Sequence, residues 1–283
     1  VSQGLVLPLS ILPNGAPADL GADVTDVLGI KKYDPEAQQE AQLLTKQPQK
    51  PQSAIARFLM RFKWYRKLFM KPKRKGGFPD WIVKTDETRI QNLTTLFEME
   101  RNKGTKFSVT EKVDGQSATY YLRKVSKRKY EFGVCSRNIY LGTPDNSSYW
   151  TIAKKYNIEN VLRQLIGDYE TIVLQGEICG NQIQGNKYHI SGYDLFAFNL
   201  IYPDHKCGTA EIKKLLEPYG IKTVPIVEED KTLPETIAEL VEYSKGKSVV
   251  RKEQKREGVV MRNVQSNISF KVINPDFLLA EKD

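Results

Sequence analysis

From position 77 onward, apolar runs of strand length outnumber helical runs and do not alternate with them, and this constrains the fold more than any other feature. Strand-like runs fall at 107–110, 118–123, 130–135, 171–174, 193–200, 258–262 and 268–273, whereas the 3.6-residue periodicity appears only at 148–166, 209–219 and 234–244. A doubly wound parallel sheet needs a crossover helix for nearly every strand, and these strands lack them. The pattern therefore predicts an α+β fold with mixed antiparallel sheets flanked by helices. With 283 residues, 40% of them hydrophobic, the chain can bury a full core.

The first 75 residues read differently. A short strand candidate at 4–12, a Pro- and Gly-broken stretch at 13–21, a short helix near Val24 and a polar stretch at 36–52 are too little for an independent core, so residues 1–50 read as a linker or remnant. From Lys50 to Lys75 there are ten basic residues and no acidic one. Ile55, Phe58, Leu59, Phe62 and Phe69 recur there at helical spacing, which predicts a basic amphipathic helix within 51–75. Arg57, Arg61, Lys67 and Lys71 on its cationic face are candidates for nucleic-acid backbone contacts. A helix docked on a neighbouring domain, with its charge simply solvated, is the alternative, and a membrane-surface helix is a third.

The whole chain has 43 basic and 34 acidic side chains, a net charge of +9 that favours a polyanionic partner. Cys135, Cys179 and Cys207 are odd in number and far apart, and with only His189 and His205 beside them no metal-ligand spacing appears. They read as reduced thiols of an intracellular protein, cytoplasmic or nuclear. No apolar run approaches the ~18 residues of a membrane span, so no membrane partner is expected.

Chemistry is concentrated in a series of short strings. Lys112-Val113-Asp114-Gly115 follows the first strand run. Ser136-Arg137-Asn138 comes next, then Gly176-Glu177 at the end of an apolar run, Phe196-Ala197-Phe198, Glu257-Gly258, and Ser269-Phe270-Lys271. A free lysine amine titrates near ~10.4, so only about one in 10³ is a neutral nucleophile at pH 7 unless its surroundings change that. Taken singly, each string has a plain structural reading: Lys112 a surface lysine, Glu257 a solvated turn, Glu177 a buried structural carboxylate, Arg137 a surface ion pair, and Phe198 a core aromatic.

In this order and spacing the strings resemble the covalent lysine nucleotidyltransferases, and within them the ATP-dependent RNA ligases of the Deinococcus and Naegleria type. The stretches 78–92 and 269–279 carry the closer resemblance. It implies a covalent nucleotidyltransferase (ATP-grasp-like ligase) domain over 76–283, preceded in such ligases by an oligonucleotide-binding barrel that residues 1–50, on this reading, do not supply. It implies that Lys112 attacks the ATP α-phosphate, that AMP passes to an RNA 5′-phosphate, and that a 3′-hydroxyl end then displaces it. ATP and Mg²⁺ or Mn²⁺ are the implied cofactors, RNA the implied partner, and a monomer the implied state.

Residue by residue, the resemblance gives Asp114, Glu177 and Glu257 to metal, Glu177 also to the ribose hydroxyls, and Glu111 and Arg137 to the nucleotide. Phe198 would stack on adenine and Lys271 would bind phosphate. Ser269 and Ile273 depart from the pattern, since many relatives carry a second lysine two positions from the last one, and Arg262 is a candidate replacement. A capping guanylyltransferase or a DNA ligase shares the lysine string, and a non-catalytic RNA-binding protein is a further alternative. Gly180-Asn-Gln-Ile-Gln-Gly185 has the glycine spacing of a P-loop, but Asn186 stands where its lysine must be, so it reads as a loop near the site. Neither histidine belongs to a nucleophile pattern.

Overall fold

A computed structural model describes residues 76–280 together with positions 12, 24, 27 and 28. The linker at 1–50 and the basic helix at 51–75, with Arg57, Arg61, Lys67 and Lys71, lie outside the described residues apart from those four positions. At Val24 there is a single turn, in which the Leu28 N–H donates to the Val24 carbonyl (3.0 Å).

Two sheets form the body. The larger is seven-stranded, in the order β1 (Gly76–Gly77), β5 (Ile139–Tyr140), β4 (Lys129–Cys135), β3 (Gln116–Ser126), β6 (Thr171–Gly180), β7 (Tyr193–Ile201) and β8 (Lys222–Thr223). The smaller is four-stranded, in the order β11 (Ile268–Ile273), β10 (Gly258–Asn263), β2 (Phe107–Glu111) and β9 (Ile226–Lys231). Every pairing is antiparallel except β7 with β8. The α+β expectation with mixed antiparallel sheets therefore holds.

Strand alternation gives each sheet one core face. In the larger sheet Ala118, Tyr120, Leu122, Ile172, Leu174 and Leu195 point to a core that also takes Trp150, Ile158, Leu162, Ile212 and Leu216 from helices α2 (Ser148–Lys155), α3 (Ile158–Leu165) and α4 (Thr209–Leu216). In the smaller sheet Phe107, Val109, Val259, Met261, Phe270 and Val272 bury against Phe97 of α1 (Thr94–Asn102) and Leu240 of α5 (Ile237–Ser244). Each fully buried Leu, Ile or Phe contributes roughly 1.5–3 kcal/mol. The chain closes on α6 (Pro275–Ala280).

Periodicity predicts one helix over 148–166, but the structure has two. Asn157 adopts a left-handed conformation (φ 47°) and ends the first ladder. The predicted run at 234–244 is helical only from Ile237, because Thr236 caps it, its hydroxyl accepting from the Glu239 N–H at 3.1 Å. Strand β9 and helices α1 and α6 have no counterpart in the sequence reading.

Candidate active site

The remaining faces of the two sheets line a cleft. The smaller sheet contributes Thr110, Val260, Arg262, Ser269 and Lys271, which share one side by alternation and by register, Val260 pairing with both Thr110 and Lys271. The larger contributes Gln175, Glu177, Phe196, Phe198 and Asn199. Two consecutive residues, Phe198 and Asn199, reach the cleft because a β-bulge shifts the β6–β7 register between Gln175 and Gly176. Alternation alone would have turned Asn199 into the core.

Lys112-Val113-Asp114-Gly115 is the crossing between the sheets, joining β2 to β3. The backbone holds this segment from both sides. Glu111 N–H donates to the Pro225 carbonyl at 2.9 Å, and Lys112 N–H to the Gly258 carbonyl at 3.0 Å. Gly115 is required by close approach: a Cβ there would lie 2.4 Å from the Ile178 carbonyl oxygen and 2.8 Å from the Cys179 sulfur. The glycine of the string therefore lets β3 start against β6, which brings Asp114 close to Glu177.

The Lys112 ammonium donates to both carboxylate oxygens of Glu257, at 2.7 and 2.6 Å, with side-chain exposures of only 25% and 14%. Burial alone would lower the lysine pKa. Glu257, Glu177 and Asp114 together outweigh it and hold the amine above its ordinary value. Burial raises the Glu257 carboxyl, with the Lys112 charge pulling the other way. Lys271 behaves oppositely: burial, the Lys112 charge and Arg89 lower it, while Asp86 and Glu257 offset part of that. The structure thus gathers Lys112, Asp114, Glu177, Glu257 and Lys271, all named from the sequence, around one point.

Arg137 stands at the rim, its guanidinium bonded to Asp86 at 2.7 and 3.2 Å. Phe196 is buried with Val113, Tyr188 and Val224, whereas Phe198 is half-buried and has the Arg262 guanidinium 5.6 Å from its ring centroid. Glu111 is buried; one carboxylate oxygen accepts from the Val249 N–H at 2.7 Å, and the other has no partner among the described residues. Its pKa is raised by burial.

Several site residues escape the sequence reading. Lys187 forms an ion pair with Asp114 at 2.5 Å, and the Tyr188 hydroxyl accepts from the Asp114 N–H at 2.8 Å. Both sit after the glycine-spaced loop, whose Gln184, Gly185 and Asn186 take positive φ. Asn186, the residue that excludes a P-loop, ties this turn by bonding the Ile190 carbonyl and N–H, each at 3.0 Å. Arg262 is buried, donates to the Thr110 hydroxyl at 3.0 Å and faces Glu87, while Ser269 donates to Glu87 at 2.6 Å. Arg262 and Ser269 are cross-strand partners, so the arginine lies directly beside one of the two positions that flank Lys271 at a distance of two residues.

Asp114, Glu177 and Glu257 are hard oxygen donors of the kind Mg²⁺ and Mn²⁺ prefer, and they fit such an ion. They surround the ammonium instead of closing on a single point. Among the described residues the trio drawn within 4.8 Å is another one, His205, Cys207 and Glu211. The sequence reading saw no such spacing. Burial pushes that cysteine thiol up to about 12, and Glu211 accepts from the Gly208 N–H at the start of α4, so both groups already have structural roles.

A fold of two sheets carrying a lysine on their crossing, ringed by carboxylates, is the nucleotidyltransferase fold. The RNA ligase sequence profile matches residues 105–273. No curated protein matches the chain significantly. Among solved structures, a Naegleria gruberi RNA ligase variant (lysine to alanine) with ATP and manganese is 31% identical, TM-score 0.70, with 100% of this chain and 73% of that one covered. The same enzyme with pyrophosphate is 32% identical, TM-score 0.69, covering 100% and 74%. A lysine-to-methionine variant with AMP and manganese gives 31%, 0.69, 100% and 74%. The chain belongs to the RNA ligase family.

Among the described residues no helix is long and apolar enough to cross a membrane.

Proposed function

We propose that the protein is an ATP-dependent RNA ligase that seals 3′-hydroxyl to 5′-phosphate ends through a lysyl-AMP on Lys112. The observation that carries this is the half-buried Lys112 amine held by Glu257 with Asp114, Glu177 and Lys271 around it. In the first step the Lys112 nitrogen bonds to the α-phosphorus of ATP as the bond to pyrophosphate breaks. An RNA 5′-phosphate oxygen then displaces the lysine, and the 3′-hydroxyl oxygen finally attacks the activated 5′-phosphate and releases AMP.

Before the first step the ammonium must lose a proton. Glu257 is in contact with it, and its raised pKa makes it a better acceptor than an ordinary carboxylate. A divalent cation held by Asp114, Glu177 and Glu257, directly or through waters, supplies positive charge that lowers the amine pKa and offsets the phosphates. Lys271 is placed to hold a phosphate oxygen, Arg137 to reach the ribose or the acceptor phosphate once it leaves Asp86, and Phe198 to offer its ring to the base. Glu111, behind the lysine, shapes the base end of the cleft. Arg57, Arg61, Lys67 and Lys71 serve as backbone contacts for RNA.

Intact-mass measurement after incubation with ATP and Mg²⁺ tests the reading. The wild type gains one adenylate and Lys112→Met gains none, a rate loss beyond about 10⁴. Better uptake from GTP than from ATP replaces the ligase with a capping enzyme. Absence of joining on a nicked RNA duplex by the adenylylated protein removes the ligase step alone.

A further inference from the structure

Beyond the lysine site the same cleft continues into a cavity of about 640 Å³ between the 83–88 segment, the ends of β6 and β7, and the start of β11. This is large enough for a nucleotide unit. Its carboxylates are already engaged. Asp86 binds Arg137, Glu87 holds Ser269 and faces Arg262, and Asp204 bonds His205 at 2.7 Å. Lys206 is not engaged: its ammonium makes no hydrogen bond or ion pair among the described residues, although it is half-buried. Burial and the neighbouring Arg262 charge bring its pKa down to about 8, with Glu87 offsetting in part. An uncompensated ammonium in that setting is stabilised by any anion that enters.

The cavity wall holds a second unsatisfied group. Asn199, 5% exposed, spends its amide N–H on Gln175 at 2.8 Å, and its carbonyl oxygen has no partner. A buried acceptor without a donor is costly. The bulge turns Asn199 toward the cleft, but the oxygen itself is covered by the wall and offers nothing to a ligand. An unpaired cation on the wall of a cavity of this size matches a backbone phosphate.

We propose that this cavity is a polynucleotide subsite, in which Lys206 binds one backbone phosphate of the strand being joined. The inference rests on the ligase reading and adds where that strand lies. Asp86, Glu87 and Thr88 line this subsite, and the Thr88 carbonyl accepts from the Lys271 N–H at 2.9 Å, so a strand seated here lies close to the proposed reacting ends.

Affinity of the adenylylated protein for a nicked RNA duplex, measured for wild type, Lys206→Gln and Lys206→Arg over a range of salt, tests it. Lys206→Gln is expected to weaken binding on the order of tenfold and to reduce the salt slope by about 0.7 to 0.9, with Lys206→Arg restoring most of both. The KM for ATP in self-adenylylation stays within twofold. In a scan of single neutral methylphosphonate linkages, one linkage reproduces the loss and makes Lys206→Gln silent. Unchanged RNA affinity of a Lys206→Gln protein that still adenylylates overturns the subsite, as does a loss confined to the ATP KM. A wild type that takes up no adenylate fails earlier, at the ligase reading, and takes the subsite with it.

Discussion

Lys112 and Lys271 face the same cleft from neighbouring parts of the smaller sheet, yet their surroundings push them in opposite directions. Burial acts on both to disfavour the ammonium. Around Lys112 three carboxylates reverse that, whereas around Lys271 the nearest charges include Lys112 and Arg89 and reinforce it. The proposed reaction gives the two lysines different tasks. Under it, the amine that sheds its proton and attacks sits beside carboxylates, and the amine that holds phosphate sits where two neighbouring cations disfavour its charge and an anion is welcome.

The comparison breaks most visibly at Glu257. Glu257→Ala should cost on the order of 10² or more in adenylylation rate with the fold intact, because it removes both the proton acceptor and a cation ligand. Single-turnover labelling from α-labelled ATP measures it, and a near-normal rate would return the residue to a structural role. The isosteric Glu257→Gln change sharpens the point. With its pKa raised, Lys112 is mostly protonated at neutral pH, so the wild-type adenylylation rate should climb about tenfold per pH unit until the amine titrates. Removing the Glu257 charge takes away the largest influence raising that pKa. The climb should then level off at lower pH, whatever the absolute rate, and a profile that keeps its midpoint contradicts the charge argument.

Smaller effects concern what holds the two lysines apart. Gly115→Ala forces a methyl against the Ile178 carbonyl, and it should lower unfolding free energy by about 1 to 3 kcal/mol and blunt adenylylation through Asp114. Chemical denaturation reads the first effect and labelling the second. Ser269→Ala removes the 2.6 Å bond to Glu87 and should cost about 0.5 to 1.5 kcal/mol of stability, leaving the Lys112 pH profile unmoved. A shifted profile would mean that Glu87 communicates with the nucleophile.

The strings that carry Lys112, Glu177, Glu257 and Lys271 were legible through their order and spacing, which resemble those of a known family; Lys112 and Glu257 border strands, whereas Glu177, expected at a strand end, lies inside β6. Lys187 was not. It is brought to Asp114 by a turn of left-handed residues that periodicity cannot describe, and the same turn looked like a failed P-loop. Asp86, Glu87 and Arg262 were equally opaque as a network, since Glu87 and Arg262 meet only after β10 and β11 have paired. The second cleft-facing residue at the β7 bulge, Asn199, contradicts the alternation by which strands are read. The helix break at Asn157 failed for a similar reason: one left-handed residue leaves no trace in a hydrophobic pattern. The basic segment at 51–75 is the reverse case, a pattern plain in the sequence that falls outside the described residues.

The hydrogen bond from the Lys112 N–H to the Gly258 carbonyl ties the nucleophile's backbone to the residue that follows Glu257. Since β2 and β10 are ladder partners over Glu111 and Val259 as well, neither residue can drift from the other without unzipping a sheet. The proposed nucleophile and its proton acceptor therefore stay in register while only their side chains move, and rotamer changes that open their contact take picoseconds to nanoseconds. In the proposed reaction solvent viscosity should leave the pH-dependent chemical step unchanged and slow only ATP arrival or pyrophosphate departure.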